Sequence, residues 1–109
     1  MPNYSKHDVI LVTYPFTDLA GAKIRPAIVV NMPHFSTDLF VVPLTSKTNS
    51  LLDGEFLLRD WSSAGLNIPS AVKRGLATVQ NTLIIKTIGR LQSADIASLE
   101  HSLRQWLGL

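Results

Sequence analysis

Three polar side chains, Arg25, Thr45 and Ser46, lie at the ends of apolar runs, where a chemical site can be built. Arg25 and the proline after it come just before the run Ala27–Val30, and Thr45 and Ser46 follow the run Leu39–Leu44. Because a proline removes one backbone donor and biases the residue before it toward an extended conformation, Arg25 is expected at the start of a buried strand. A guanidinium held there can bind a phosphate through two parallel hydrogen bonds. Loops that follow two buried strands are expected to meet at one end of a sheet, so the hydroxyls can join the arginine.

This set of groups suits the cleavage of a phosphodiester without a metal ion. A guanidinium can stabilise charge that develops on phosphoryl oxygens, and a hydroxyl can donate a further hydrogen bond. RNA carries its own nucleophile, the 2′-hydroxyl, which also distinguishes it from DNA. An enzyme that uses this hydroxyl needs positioning, charge stabilisation and proton transfer.

Several other kinds of chemistry are excluded by the residues that the chain contains. It has no cysteine, so it has no thiolate nucleophile, disulfide or thiolate metal site. Its histidines, His7, His34 and His101, are far apart and none has a neighbour at metal-ligand spacing, so we expect no metal and no cofactor. The glycines form no phosphate-binding loop, and no serine lies in a G-x-S-x-G context.

Length and composition predict a single globular domain over residues 1–109. Hydrophobic residues make up 46% of the chain and charged residues 17%, which is typical of a folded domain with one core. No apolar run reaches the roughly 18 residues that a membrane span needs, and the polar first residues do not resemble a signal peptide. We therefore expect a cytoplasmic protein that does not bind membranes.

The positive charges are unevenly distributed, although the net charge is only +2. Between Trp61 and Ala94 the chain has no acidic residue. The cations of that stretch are Lys73, Arg74, Lys86 and Arg90. This pattern permits a basic face that attracts phosphates, and it is equally compatible with an ordinary solvated surface.

The order of apolar runs and turn residues predicts a mostly β protein with a C-terminal helix. The β-prone runs are 8–14, 27–31, 39–44, 55–58, 71–79 and 83–91, with breaks in the last two at Gly75 and Gly89. One helical turn is expected over 60–66. The final helix is predicted from the spacing of its apolar side chains, with Ser93 as its cap and Gly108 as its stop. These elements indicate a small, mostly antiparallel barrel with the helix against it.

Five short motifs, in order along the chain, resemble those of the MazF/PemK family of toxin ribonucleases. The motifs are Asp8-Val9-Ile10-Leu11-Val12 with Pro15-Phe16, Arg25-Pro26-Ala27-Ile28-Val29-Val30, Val41-Val42-Pro43-Leu44-Thr45-Ser46, Ile88-Gly89-Arg90-Leu91 and Leu107-Gly108-Leu109. The resemblance implies an SH3-like barrel, a homodimer, and the toxin of a type II toxin-antitoxin pair that cuts single-stranded RNA without a metal. Its partners would be RNA and a cognate antitoxin protein.

The resemblance also assigns roles to residues. Arg25 matches the family's catalytic arginine and Thr45 its catalytic threonine, and the loop 17–24 matches the one that closes over RNA or is displaced by the antitoxin. As further residues that bind RNA we predict Asp18, Lys23, Ser46, Lys47, Lys73 and Arg74.

Two departures from the family pattern leave other functions open. Many relatives carry an acid in the loop before the arginine, where this chain has Ala20, so Asp18 is the nearest substitute for the general base. Many also have an acidic-Gln-Ile-Arg-Thr run where this chain reads Arg74-Gly75-Leu76-Ala77-Thr78. The alternatives are a toxin of the same barrel fold that acts on gyrase, and a barrel that binds RNA or protein without catalysis.

Overall fold

The computed structural model describes residues 4–14, 23–32 and 38–109, which form an antiparallel sheet and one long helix. The strands are β1 (Asp8–Tyr14), β2 (Lys23–Val29), β3 (Asp38–Thr45), β4 (Phe56–Leu57), β5 (Ala71–Val72), β6 (Ala77–Gln80) and β7 (Ile84–Arg90). A 3₁₀ turn (Asn81–Leu83) precedes β7, and helix α1 (Ser93–Leu107) follows it.

The sheet has the strand order β4-β5-β3-β2-β1-β7, and β6 pairs with β3. Every pairing in the described part of the chain is antiparallel. The predicted mostly β architecture with a C-terminal helix is therefore confirmed. Within the described residues the sheet does not close, because its outer strands β4 and β7 do not pair with each other.

The central strands are buried on both faces, as the β-branched run in β2 predicts. Ala27, Ile28 and Val29 have no solvent exposure. Because successive side chains of a strand point to opposite faces, these residues belong to two different apolar clusters. Ile28 packs in the cluster that includes Leu99 of α1, and its neighbours pack in the second cluster with Leu39 of β3. Each fully buried aliphatic side chain contributes roughly 2 kcal/mol to stability.

Strand β2 begins earlier than the sequence indicated, so Arg25 lies inside the strand and not before it. Arg25 faces Val12 across β1, and Pro26 faces Leu11. The pairing of β2 with β3 ends at Ala27, which lies opposite Pro43. A proline has no N–H for a ladder, so Pro26 and Pro43 explain why the two strands part there. The rest of β3 then pairs with β5.

The segment 60–66 forms consecutive turns, one of which has the hydrogen bond of the predicted helical turn. Backbone hydrogen bonds join Ala64 N–H to the Asp60 carbonyl and Leu66 N–H to the Trp61 carbonyl. Gly65 has a φ of 93°, so it ends the segment as expected. It packs directly on the backbone of β7 at Gly89, where neither residue has room for a Cβ atom. Gly89 is therefore a close-contact position within a continuous strand.

Two further predictions concern the C-terminal half. The run 71–79 splits into the short strands β5 and β6, with Gly75 between them, as expected. The N-cap of α1 is Gln92, without a side-chain cap bond, so the assignment of Ser93 as the cap is wrong. Gly108 ends the helix in the left-handed conformation, with a φ of 73°, as predicted.

Candidate functional site

An open cleft of about 650 Å³ lies where β1, β2 and β7 run side by side. The end of β3 and the segment 65–70 complete its walls. The described residues that line it are Leu11, Ile24, Arg25, Pro26, Leu44, Ser46, Gly65, Leu66, Asn67, Ile68, Ser70, Lys86, Thr87 and Ile88. Most of the apolar residues come from the strands, whereas the polar ones come from β2, from the residue after β3, from β7 and from the segment 65–70.

All the charged side chains among the described lining residues of this cleft are positive. Arg25 and Lys86 line it, and no Asp or Glu is found among its described lining residues. Apolar side chains such as Leu11, Leu44 and Leu66 line the same cleft. Electrostatic attraction is stronger next to such surface than in bulk water, so the cleft favours an anionic ligand.

Arg25 is positioned by the pairing of β2 with β1 and is exposed to solvent. Its guanidinium makes no hydrogen bond or ion pair with any other described residue. By contrast, Arg90 on β7 is paired with Asp8, at 3.3 Å from Nη1 to Oδ1. Arg25 therefore has its donors available for a ligand in the cleft.

The two predicted hydroxyls differ in their placement. Ser46 lines the cleft beside Arg25, whereas Thr45 is not among the lining residues. Thr45 Oγ1 accepts a hydrogen bond of 3.1 Å from the backbone N–H of Lys47, which shapes the turn after β3. If the β2–β3 register continued past Pro43, Thr45 would lie opposite Arg25, but β3 pairs with β5 at that point.

The other predicted cations do not meet in this cleft. Lys47, Lys73 and Arg74 are exposed and lie outside its lining. Arg74 borders a separate, smaller groove of about 160 Å³ against α1. Asp18 and the side chain of Lys23 lie outside the described residues, as does most of the loop 17–24.

Glu55 fixes the chain next to these basic residues. Its Oε1 accepts a hydrogen bond of 2.7 Å from Leu52 N–H, and its Oε2 accepts one of 2.8 Å from Arg74 N–H. These two backbone hydrogen bonds lower the pKa of Glu55 below its ordinary value. The carboxylate therefore holds the backbone of Arg74 in place.

Four polar residues of the cleft, Asn67, Ser70, Lys86 and Thr87, were not predicted as site residues. The Ser70 hydroxyl donates a hydrogen bond of 3.0 Å to the Ile68 carbonyl, whereas the other three side chains make no hydrogen bonds within the described part of the chain. Lys86 had a signal in the sequence, since it belongs to the acid-free basic stretch. Asn67 had none, because its place in the cleft depends on the packing of the turns before it onto β7.

Asp95 on α1 holds the segment that forms one wall of the cleft. It is only 2% exposed. Its two carboxylate oxygens accept hydrogen bonds of 2.9 Å from the backbone N–H groups of Arg59 and Asp60. The helix and the turns before Asn67 are thereby joined into one unit.

The described residues contain no group of three His, Asp or Glu side chains placed to hold a metal ion. In the same part of the chain, no helix combines the length and the apolar character needed to cross a membrane.

Comparison with solved structures shows which fold this arrangement belongs to. The toxin MazF-mt6 of Mycobacterium tuberculosis superposes with a TM-score of 0.74 at 21% identity, over 94% of this chain and 97% of that one. A MazF from Deinococcus radiodurans gives a TM-score of 0.76 at 14% identity, over 97% of each chain. An endoribonuclease from a mycobacterial species, solved with its cognate antitoxin, superposes with a TM-score of 0.74 at 18% identity, over 97% of this chain and 96% of that one.

At the level of sequence, no curated protein is significantly similar to the chain. A family model does match it, over residues 5–107. That match covers β1, all the lining residues of the cleft and α1. The chain therefore belongs to the family of PemK-like, MazF-like toxins of type II toxin-antitoxin systems.

Proposed function

We propose that this toxin is a metal-independent endoribonuclease that cuts single-stranded RNA at the cleft containing Arg25. The observation that carries the proposal is a guanidinium that has no partner among the described residues and lies in an open cleft whose described lining contains no acidic residue. Membership of the toxin family and the solved endoribonucleases of the same fold support it.

The reaction follows from the groups in the cleft. The 2′-hydroxyl attacks the adjacent phosphorus, the bond to the 5′-oxygen breaks, and the products are a 2′,3′-cyclic phosphate and a 5′-hydroxyl. Arg25 stabilises the charge on the phosphoryl oxygens, which increases in the transition state. We propose that Ser46, which lines the cleft, donates a hydrogen bond to the same phosphate. We keep Thr45 as a catalytic candidate on the family pattern.

A base must accept the proton of the 2′-hydroxyl. We assign this role to Asp18, the acid closest to Arg25 in the preceding loop. Replacing Asp18 with Asn should lower kcat by about two orders of magnitude, the usual contribution of a general base. Cleavage by Asp18→Asn at the wild-type rate would contradict the assignment.

The partners are proposed from the family. A solved relative is an endoribonuclease in complex with its cognate antitoxin, and we propose that this chain also binds an antitoxin, forms a homodimer and acts on RNA in the cytoplasm. An antitoxin that covered the cleft would block the access of RNA to Arg25.

The direct test is the incubation of purified protein with single-stranded RNA in EDTA. Wild type should cleave the RNA, and Arg25→Ala should lose about 3 to 4 kcal/mol of transition-state stabilisation, which is at least a hundredfold in rate. Arg59→Ala is the matched control, because Arg59 is also exposed but lies outside the cleft. Intact RNA with wild type, or equal cleavage by both variants, would refute the proposal.

A further inference from the structure

The floor of the cleft is apolar and lies on the face of the sheet opposite to the Arg25 side chain. Leu11 of β1 lies opposite Pro26 of β2, so their side chains share one face. Ile24 and Pro26 alternate with Arg25 along β2 and therefore point to the other face from it. All four residues line the cleft, so Arg25 borders it from the side of β2 and does not form its floor.

A floor of this kind suits a nucleobase better than a phosphate. A phosphate gains nothing from contact with apolar side chains, whereas a base has two apolar faces whose burial is favourable. In single-stranded RNA the bases can turn away from one another and present both their faces and their edges to a protein. The polar groups on the wall of the cleft would then meet the edge of the base.

Asn67 lies on a wall segment whose two ends are anchored. Leu66, before it, is buried, and its N–H donates a hydrogen bond of 3.1 Å to the Trp61 carbonyl. Ser70, at the other end, is also buried, and its carbonyl accepts a hydrogen bond of 2.9 Å from Leu58 N–H. Between these anchors the Asn67 side chain is exposed in the cleft. A side chain on a fixed backbone loses less freedom when it binds a ligand.

Asn67 also differs in chemistry from the other polar groups of the described lining. Arg25 and Lys86 can only donate hydrogen bonds, and the hydroxyl side chains of the lining can donate or accept, so they do not distinguish one base from another. The amide of Asn67 has an acceptor and a donor side by side in fixed order. Because the cations already supply donors for the keto oxygens of guanine and uracil, the distinctive contribution of Asn67 is its carbonyl oxygen, which accepts from an amino group.

We propose that Asn67 selects a base next to the scissile phosphate, and that this base is adenine or cytosine. The Asn67 carbonyl accepts a hydrogen bond from the exocyclic amino group, and its NH₂ donates one to the adjacent ring nitrogen. The inference rests on the proposed function and adds to it the residue that sets a sequence preference. Asn67 takes no part in the bond-breaking step.

The experiment maps cleavage sites on RNA of random sequence, in EDTA, by sequencing the fragments that carry a new 5′-hydroxyl. Wild type is compared with Asn67→Ala, Asn67→Asp and Asn81→Ala. Asn81→Ala is the matched control, since Asn81 is also an exposed asparagine but lies outside the lining of the cleft. The preferred site is then made as a short RNA with each of the four bases at the selected position, and kcat/KM is measured for each.

We expect wild type and Asn81→Ala to prefer adenine or cytosine at one of the two positions that flank the cut. Asn67→Ala should lower kcat/KM about tenfold to a hundredfold on the preferred RNA, the value of one bidentate contact to a base, and leave it unchanged when that position is uracil. Asn67→Asp should shift the preference to guanine, because a carboxylate only accepts and guanine presents N1–H beside its amino group. The preference is a ratio between substrates, so a general loss of affinity through the added charge does not affect it.

Three results would overturn the inference alone. In the first, wild type cleaves RNA without a preference for adenine or cytosine at either flanking position. In the second, Asn67→Ala keeps the preference of wild type. In the third, Asn67→Ala loses the same factor of kcat/KM on all four RNAs, as a purely structural role would require. If wild type cleaves no RNA, the proposed function fails and the inference fails with it.

Discussion

At the scale of single residues, whether a charged side chain can bind a ligand depends on whether its charge is already paired within the protein. Arg90 and Asp8 neutralise each other, whereas Arg25 and Lys86 line one cleft without a described partner. An exposed ion pair contributes little to stability, so Arg90 is best explained as a surface feature. The proposed chemistry depends on the guanidinium of Arg25, which has no partner in the described part of the chain.

Asp95 gives a prediction about stability. Replacing Asp95 with Ala leaves two backbone donors, the N–H groups of Arg59 and Asp60, without their acceptor. We expect a loss of about 3 kcal/mol in the free energy of unfolding, measured by urea denaturation. Glu100→Ala, an exposed change on the same helix, should stay within about 0.5 kcal/mol of wild type. Equal stability of the two variants would show that the buried carboxylate is dispensable.

Glu55 gives a prediction about pH. Its pKa is lowered in the folded state by hydrogen bonds from Leu52 and Arg74, so the folded protein binds this proton less readily than the unfolded chain does. The stabilisation is therefore present above the ordinary pKa of 4.5 and is lost as the pH falls through the lower, folded value. Glu55→Gln should flatten the dependence of stability on pH in the acid range. If the melting temperature of Glu55→Gln falls with decreasing pH as steeply as that of wild type, the prediction is contradicted.

At the scale of secondary structure elements, the cleft depends on the contact between the turns 60–66 and β7. A Cβ atom at Gly89 would overlap the carbonyl of Ala64, and one at Gly65 would overlap the carbonyl of Ile88. Both glycines are required by a close approach of two backbones, and Gly65 also by its positive φ. The wall that carries Asn67 is placed by this contact.

We therefore expect Gly89→Ala to lower the free energy of unfolding by about 3 kcal/mol, because backbone atoms would have to move to admit the methyl group. Gly75→Ala is the matched control. Its added Cβ would meet only the Pro43 side chain, at an ordinary 3.5 Å, and we expect a change within about 0.5 kcal/mol. Similar denaturation midpoints for the two variants would show that the turns and β7 can separate at little cost.

The elements that the sequence predicted well are those with strong local patterns. Strand β1 has the predicted bounds, because a β-branched run is ended by Pro15. The position of Arg25 within β2 was not predictable in the same way. Pairing with β1 continues past Pro26 to Lys23, and this extends β2 over Arg25. Pairing with β3, by contrast, ends at Ala27, next to Pro26.

The candidate site was predictable only in part, for the same reason. Arg25 and Ser46 follow from their places next to apolar runs, and the structure brings both to one cleft. Lys73 and Arg74 belong to the same basic stretch as Lys86, but only Lys86 reaches the cleft, because β7 pairs with β1. Spacing along the chain carries no information about that pairing.

At the scale of the whole molecule, a homodimer remains a prediction. The described surface exposes large apolar side chains such as Leu76 and Leu107, and burial of apolar surface favours association. Light scattering coupled to size exclusion should give a mass about twice the 12.0 kDa of one chain. A concentration-independent mass equal to one chain would contradict the expected assembly.

If the cleft promotes attack by the 2′-hydroxyl of RNA, removal of that one hydroxyl must prevent cleavage at the adjacent bond. An oligonucleotide with a single preferred cleavage site is compared, in EDTA, with the same molecule carrying 2′-deoxyribose on the 5′ side of the scissile phosphate. Wild type should cut the first to a 2′,3′-cyclic phosphate and a 5′-hydroxyl and leave the second intact. Cleavage of the second molecule at the same bond would contradict it.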